Sequence, residues 1–246
     1  MHAIIFAAGR SRRLGALTDA KPKCTLAISS ETTLIELSIS HISACGFNHI
    51  TIVTGHASSV LEDLVSNKFP DQNISFTYNT HYENWNNIYT AYLVREFITD
   101  NSYIFNSDIV YDRRILEHAV SSGSKNFLVI DDHKALVDED MKVLVDTNGK
   151  IQRINKGLEN NNCKGEYIGI MHLSGASLKA FKQSLESMIT AGDTDKYYED
   201  ALDKIVKDIE LETVSTQGYS WTEIDTPEDY SRAKELACVK SISPTH

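Results

Sequence analysis

Residues 3–26 read "AIIFAAGRSRRLGALTDAKPKCTL". An apolar run of strand length ends at Ala7-Ala8-Gly9, and the loop behind it carries Arg10, Arg12, Arg13, Lys21 and Lys23. A strand that breaks at a glycine turn exposes consecutive backbone N–H groups, and such a concavity binds phosphate oxygens. The loop fits neither common phosphate motif. Leu14 stands where G-x-x-x-x-G-K-[ST] needs its second glycine, and Ser11 and Leu14 both break G-x-G-x-x-G.

The cations are unusual for the chain that holds them. Lys+Arg 24 against Asp+Glu 34 gives a formal net charge of -10 over 246 residues. A nucleic-acid surface needs a broad basic face, so no nucleic-acid partner is expected and a small anionic ligand fits better. Cys24, Cys45, Cys163 and Cys238 show no C-x-x-C spacing and read as reduced thiols, which points to the cytoplasm. The first apolar run is too short to span a bilayer and its cations follow it, so no membrane association is expected.

Outward from this loop, strand-like and helix-like segments alternate: "HAIIFAA", a helix near 34–44 closed by Gly46, "HITIVTG", a helix near Val60, "ISFTYN", a helix from about Ile88, and "SYIFNSD". That alternation predicts a mostly parallel sheet with helices on both faces, whose ligands bind beyond the carboxyl ends of the strands. After "NFLVIDD" the pattern becomes "KVLVDTNGKIQRI", and Asn148-Gly149 predicts a hairpin. "EYIGIMHLS" reads as a further strand. In "DTPEDYSRAKEL", Thr226 is the expected N-cap and Pro227 the first helical residue. The expectation is one α/β domain over residues 1–240 with an antiparallel flap at about 133–165 and a loose tail at 241–246.

"AAGRSRRL" followed by "KPKC" resembles the signature of the nucleotidylyltransferase superfamily, A-A-G-x-G-x-R-L followed by P-K, with Ser11 in place of a glycine. "NNIYTAYLV", "NSDIVYD", "YYEDAL" and "WTEIDTPEDY" resemble stretches of bacterial phosphocholine cytidylyltransferases, and several also resemble cytidylyltransferases of 2-aminoethylphosphonate. The resemblance implies a three-layer α/β/α Rossmann-like nucleotidyltransferase fold. It also implies a Mg²⁺-dependent enzyme that transfers CMP from CTP to a small phosphorylated or phosphonylated headgroup and releases pyrophosphate. It leaves open whether the chain pairs as a homodimer. Two alternatives stand beside it: a sugar-1-phosphate nucleotidylyltransferase using UTP, dTTP or GTP, and a non-catalytic nucleotide sensor. The sensor is expected to lose Lys23, Asp108 or Asp225, and all three are present.

Carried onto this chain, the resemblance makes Arg13 and Lys23 the catalytic cations, one on the triphosphate and one bridging the two reacting phosphates. The nucleotide would be held by Ala7, Ala8, Gly9, Arg10, Ser11, Gly55 and Asn87. Asn87 reads equally well as a helix N-cap. Asp108 and Asp225 would hold the metal, assisted by Glu223, two residues from Asp225 and on the same strand face. The acceptor side would draw on Lys156, Glu166, Tyr198, Asp200 and Trp221. Glu199 is a further candidate for an ammonium group. Tyr82, Trp85, Tyr89, Tyr92, Tyr197 and Tyr219 are candidates for facing a quaternary ammonium, half of them equally expected in the core.

Overall fold

The computed structural model describes residues 1–237, so the tail expected at 241–246 and Cys238 lie outside the described residues. The chain runs β1 (His2–Phe6), α1 (Leu34–Ala44), β2 (His49–Thr54), α2 (Ser58–Lys68), β3 (Ile74–Tyr78), α3 (Asn87–Leu93), β4 (Ser102–Asn106), β5 (Ile109–Tyr111) and α4 (Arg113–Ser121). It continues with β6 (Phe127–Asp131), β7 (Lys142–Val145), β8 (Ile151–Asn155), β9 (Gly165–His172), α5 (Gly175–Thr190), α6 (Tyr198–Asp203), β10 (Glu212–Ser215), β11 (Trp221–Glu223) and α7 (Pro227–Ala237).

β1 is apolar on both faces because both faces are covered. Ile4 and Phe6 enter the cluster formed with α3, α5 and α6, while Ala3 and Ile5 enter the one formed with α1, α2 and α4. Strand side chains alternate between faces, so a strand inside a three-layer fold cannot show a polar side. The main path of the sheet is β10-β6-β9-β4-β1-β2-β3. β1 pairs parallel with β2 and β4, and β2 with β3. β9 runs antiparallel between β4 and β6, which makes the sheet mixed.

Several local signals act as read. Thr33 caps α1 with a capping box to Glu36. At α7, Thr226 Oγ1 accepts from the N–H of Asp229 while Asp229 Oδ2 accepts from the N–H of Thr226. The β7–β8 hairpin turns on Asp146, whose carbonyl accepts from Gly149 and whose carboxylate accepts from Asn148 and Lys150; Gly149 takes φ 81, where a side chain is strained. The flap also joins the main sheet, because β7 pairs with β9. It leaves and returns at one rung, where Asp131 and Glu166 are register partners. α6 is shorter than the periodicity of "YYEDALDKIV" suggests. It stops at Asp203, whose carboxylate accepts from Arg153 Nε and from the backbone of Ile154 in β8.

Two features position the site. β5 and β11 form a separate antiparallel ribbon, with Glu223 opposite Ile109. A third apolar cluster packs Leu14, Val110, Ile224 and Ala233 together and so anchors the cationic loop against β5 and α7. Among the described residues no helix is long and apolar enough to cross a membrane.

Candidate active site

A cavity of about 210 Å³ opens beyond the carboxyl ends of β1 and β4, where the sequence places the loops. Ala7, Ala8, Gly9, Ser11, Arg13 and Lys23 line one wall. Ser11 adopts φ 50, a left-handed conformation that few residues other than glycine take, and the sharp bend it makes starts the 3₁₀ turns that follow. Of the five cations in the loop, only Arg13 and Lys23 face the cavity. Arg10 turns outward, 3.5 Å from Glu83, with both side chains about half exposed.

At the floor, Lys23 is 8% exposed and its Nζ lies 3.0 Å from Asp108 Oδ2 and 3.0 Å from Asp225 Oδ1. Arg13 Nη2 donates to the other oxygen of Asp225 at 2.6 Å. The ribbon explains the meeting: Asp108 precedes β5, Asp225 follows β11, and the N–H of Ile224 donates to the carbonyl of Asp108 at 2.9 Å. Burial disfavours the charged form of Lys23, but Asp108, Asp225 and Glu223 more than offset it, so its pKa is raised. Burial also works against an ionised Asp225, yet Lys23 and Arg13 hold its carboxyl below the usual range. Burial and then the charges of Asp108 and Asp225 push Glu223 up to about 8.

Asp108, Glu223 and Asp225 bring carboxylate oxygens within 4.8 Å of one another. Asp108 Oδ1 is buried without a hydrogen-bond partner. An all-carboxylate set with a free, inward oxygen suits a hard divalent cation such as Mg²⁺. The residues expected to hold the metal therefore fit it.

The opposite wall is built by Lys156 at the end of β8, Glu139 in the loop before β7, and Tyr197 and Glu199 at the start of α6. Lys156 Nζ stands 5.5 Å from the centre of the Tyr197 ring. Glu199 is 4% exposed and its Oε2 has no hydrogen-bond partner; burial above all pushes its carboxyl up to about 7. Asn87 also lines the cavity. Its Oδ1 accepts from the backbone N–H of Tyr198, and the N-cap of α3 is Asn86 instead.

Other predicted residues lie elsewhere. Gly55 sits beneath the wall: a Cβ there would stand 2.6 Å from the carbonyl oxygen of Ala8 and 2.7 Å from Tyr82 Cβ. Tyr198 is a core residue, fully buried, its hydroxyl bonded to the hydroxyl of Tyr167 and donating to Asn106 Oδ1. Asp200 caps α6 by accepting from the N–H of Tyr197. Glu166 and Trp221 line a neighbouring cavity of about 470 Å³ that shares Arg13, Glu139, Glu223 and Asp225 with the first. There Glu166 pairs with Lys134 at 2.5 Å and the Trp221 indole donates to Asp131. Trp85 stacks on His81, Tyr89 meets both rings edge-on and Tyr92 lies tilted against Tyr89, away from the carboxylate cavity. The polar lining residues absent from the expectation include Thr90, Asn106, Ser107, Glu139 and Tyr167. Asn106 alone had a visible signal, the polar end of an apolar strand.

Residues 2–136, more than half of the chain, match the family model described as "Nucleotidyl transferase". Over 248 residues, 96% of this chain and 98% of the relative, the sequence is 24% identical to a choline-phosphate cytidylyltransferase of Streptococcus pneumoniae. It is 27% identical over 189 residues to a CTP:phosphoglutamine cytidylyltransferase of Campylobacter jejuni, covering 71% of this chain and 73% of that one. A solved CTP:phosphocholine cytidylyltransferase from Streptococcus pneumoniae superposes with TM-score 0.80 at 22% identity, over 96% of this chain and 98% of the other, a likeness of fold.

Proposed function

The chain belongs to the nucleotidyl transferase family, and from that premise we propose that it transfers CMP from CTP to a small phosphorylated or phosphonylated headgroup that bears a cation. The observation that carries this reading is the meeting of two walls in one cavity: Arg13 and Lys23 with three carboxylates on one side, Lys156 and the open carboxylate of Glu199 on the other. The names of similar proteins support CTP as the donor and a phosphorylated compound as acceptor. Four sparse cysteines without C-x-x-C spacing support a reducing compartment, the cytoplasm.

In this reading an acceptor oxygen attacks the α-phosphorus of CTP, the bond to the bridging oxygen breaks, and pyrophosphate leaves with the electron pair. Phosphates and phosphonates are already ionised at neutral pH, so the protein supplies position and charge neutralisation and no general base. Arg13 offers its planar donor fork to the triphosphate. Lys23, fixed between Asp108 and Asp225, presents a point charge where the two reacting groups meet. Asp108 and Asp225, with Glu223 beside them, would hold Mg²⁺, which when bound neutralises the charge that keeps two anions apart. Lys156 takes the acceptor's phosphate.

Glu199 favours an acceptor whose cation carries N–H bonds, as an aminoalkyl phosphonate does. Its Oε2, buried without a partner, is an acceptor for a hydrogen bond that a quaternary ammonium cannot donate. Of the aromatic residues read from the sequence as facing choline, Tyr197 alone lines this cavity among the described residues, beside the buried Phe6 and Tyr167.

Pyrophosphate release with Mg²⁺ tests the reading, with CTP, UTP, GTP, ATP and dTTP set against phosphocholine, phosphoethanolamine, 2-aminoethylphosphonate, inositol phosphate and hexose 1-phosphates. Turnover with CTP and a cationic headgroup is expected. Turnover confined to a hexose phosphate with another nucleotide would replace it.

A further inference from the structure

Lys142 is a charged residue in the wrong kind of place. It opens β7, is 1% exposed, and among the described residues has no carboxylate within ion-pairing distance. Its register partner Glu166 pairs with Lys134 instead. Burying an ammonium without a counter-ion is costly, and a methionine of similar volume would fill the space at lower cost. What the ammonium does instead is donate to two backbone carbonyls, those of Asp138 at 2.8 Å and of Lys156 at 2.5 Å.

Those carbonyls belong to two different loops. Asp138 lies in the loop that leads into β7, whose next residue, Glu139, lines the cavity, as does Met141. Lys156 follows β8 directly, and it lines the same cavity. The β7–β8 hairpin joins these loops at the sheet end, but its ladder stops at the pair Lys142 and Asn155. Beyond that pair the first loop is tied to β9 by the N–H of Tyr167 on the carbonyl of Met141, and the hydrogen bonds between the two loops come from side chains. Asn155 Oδ1 receives the N–H of Gly157, and Asn160 reaches the carbonyl of Leu136. Lys142 alone, among the described residues, bonds the backbones of Asp138 and Lys156 at once.

We propose that Lys142 is a positioning residue for the acceptor wall, clamping the backbone of Lys156 to that of Asp138 so that the Lys156 ammonium is presented to the acceptor's phosphate. The inference rests on the reading of Lys156 as an acceptor ligand. A charged clamp suits the task because its donors reach two carbonyls from one point, while hydrogen bonds to a charged donor are stronger than neutral ones. The ammonium also gives the wall a fixed positive charge behind the position an anion would take.

The test is a double-mutant cycle, with Lys142→Met, Lys156→Ala and the double variant assayed for both substrates, joined to amide hydrogen exchange on the free proteins. Lys142→Met should raise the acceptor KM about tenfold while leaving the CTP KM within about twofold, and should add nothing further in the Lys156→Ala background. Lys142→Arg, which keeps a cationic donor, should recover most of the loss. In exchange, Lys142→Met should release the amides of 136–141 and of 156–158 together, with 143–154 unchanged. Additive effects on acceptor KM, equal effects on both substrates, or release of only one loop would overturn the inference. If the wild-type protein turns over no acceptor, the reading of the acceptor site fails, and the exchange measurement alone decides the clamp. If Lys142→Met does not fold, Lys142→Gln passes through the same comparisons.

Discussion

The ammonium of Lys23 lies 3.0 Å from Asp108 Oδ2 across the floor of the cavity. The contact joins the loop behind β1 to the end of β4, and Asp225 closes the arrangement from the β11 side. Replacing Lys23 by Met leaves three carboxylates facing one another and takes the charge away from the meeting point of the reacting phosphates. Turnover should fall by about 10²-fold or more, with CTP affinity changed by about tenfold at most. Steady-state kinetics with calorimetric titration of CTP separates the two. A loss confined to CTP affinity would make Lys23 a nucleotide anchor only.

Asp108→Ala removes the carboxylate whose inner oxygen is left without a partner. The side chain is 23% exposed, so the core below is undisturbed and the melting temperature should stay within a few degrees of wild type. Turnover should become undetectable, as it should in wild-type protein after treatment with a chelator. Activity that survives both changes would remove the metal from the proposal.

Gly55→Ala is a test of the nucleotide wall made from outside it. The new methyl meets Ala8 at 2.6 Å, and backbone cannot step aside as a flexible side chain can. The Ala8 segment must move into the cavity, so CTP should bind about tenfold more weakly, with acceptor KM little changed. Unchanged CTP binding would show that the backbone at Ala7 and Ala8 does not read the nucleotide.

Glu199 gives a pH signature. Burial raises its carboxyl from 4.5 to about 7, against opposing hydrogen bonds from its own backbone and Tyr198. Folding thus tightens its hold on a proton. Its contribution to stability is full below about pH 4.5 and is lost as the pH rises through about 7. Glu199→Gln, which has the same shape and no titration, should melt near wild type at pH 5 and about 5 °C above it at pH 8. The same variant should weaken a primary-amine acceptor. A Tm difference that does not vary between these pH values would show that Glu199 does not titrate in the folded protein.

The fold was legible wherever a short stretch decides its own conformation. The strand ending at Phe6, the turn around Gly149, and the Thr226-Pro227 start of α7 each rest on neighbours within five residues. The antiparallel entry of β9 between β4 and β6 is set by long-range pairing, which strand periodicity does not encode. The site shows the same division. Arg13, Lys23, Asp108 and Asp225 stand in distinctive motifs and meet in space. Tyr198, Glu199 and Asp200 are consecutive, so three side chains point three ways. Only packing assigns one to the core, one to the cavity and one to the helix cap. The aromatic run from Tyr82 to Tyr92 satisfied the chemistry of a choline site, but Trp85, Tyr89 and Tyr92 packed among themselves and with His81, and Tyr82 against Tyr78.

Asp131 and Glu166 face each other on one rung of the sheet, and the flap occupies everything between them. Recombination needs only such a pair of adjacent breakpoints to replace a segment without disturbing its host. The strands that carry Lys23, Asp108 and Asp225 to their meeting point do not pass through that segment. A lineage that exchanged residues 132–165 would therefore import a different Glu139 and Lys156 side of the acceptor wall, Lys142 clamp included, while keeping Tyr197, Glu199 and its nucleotide chemistry.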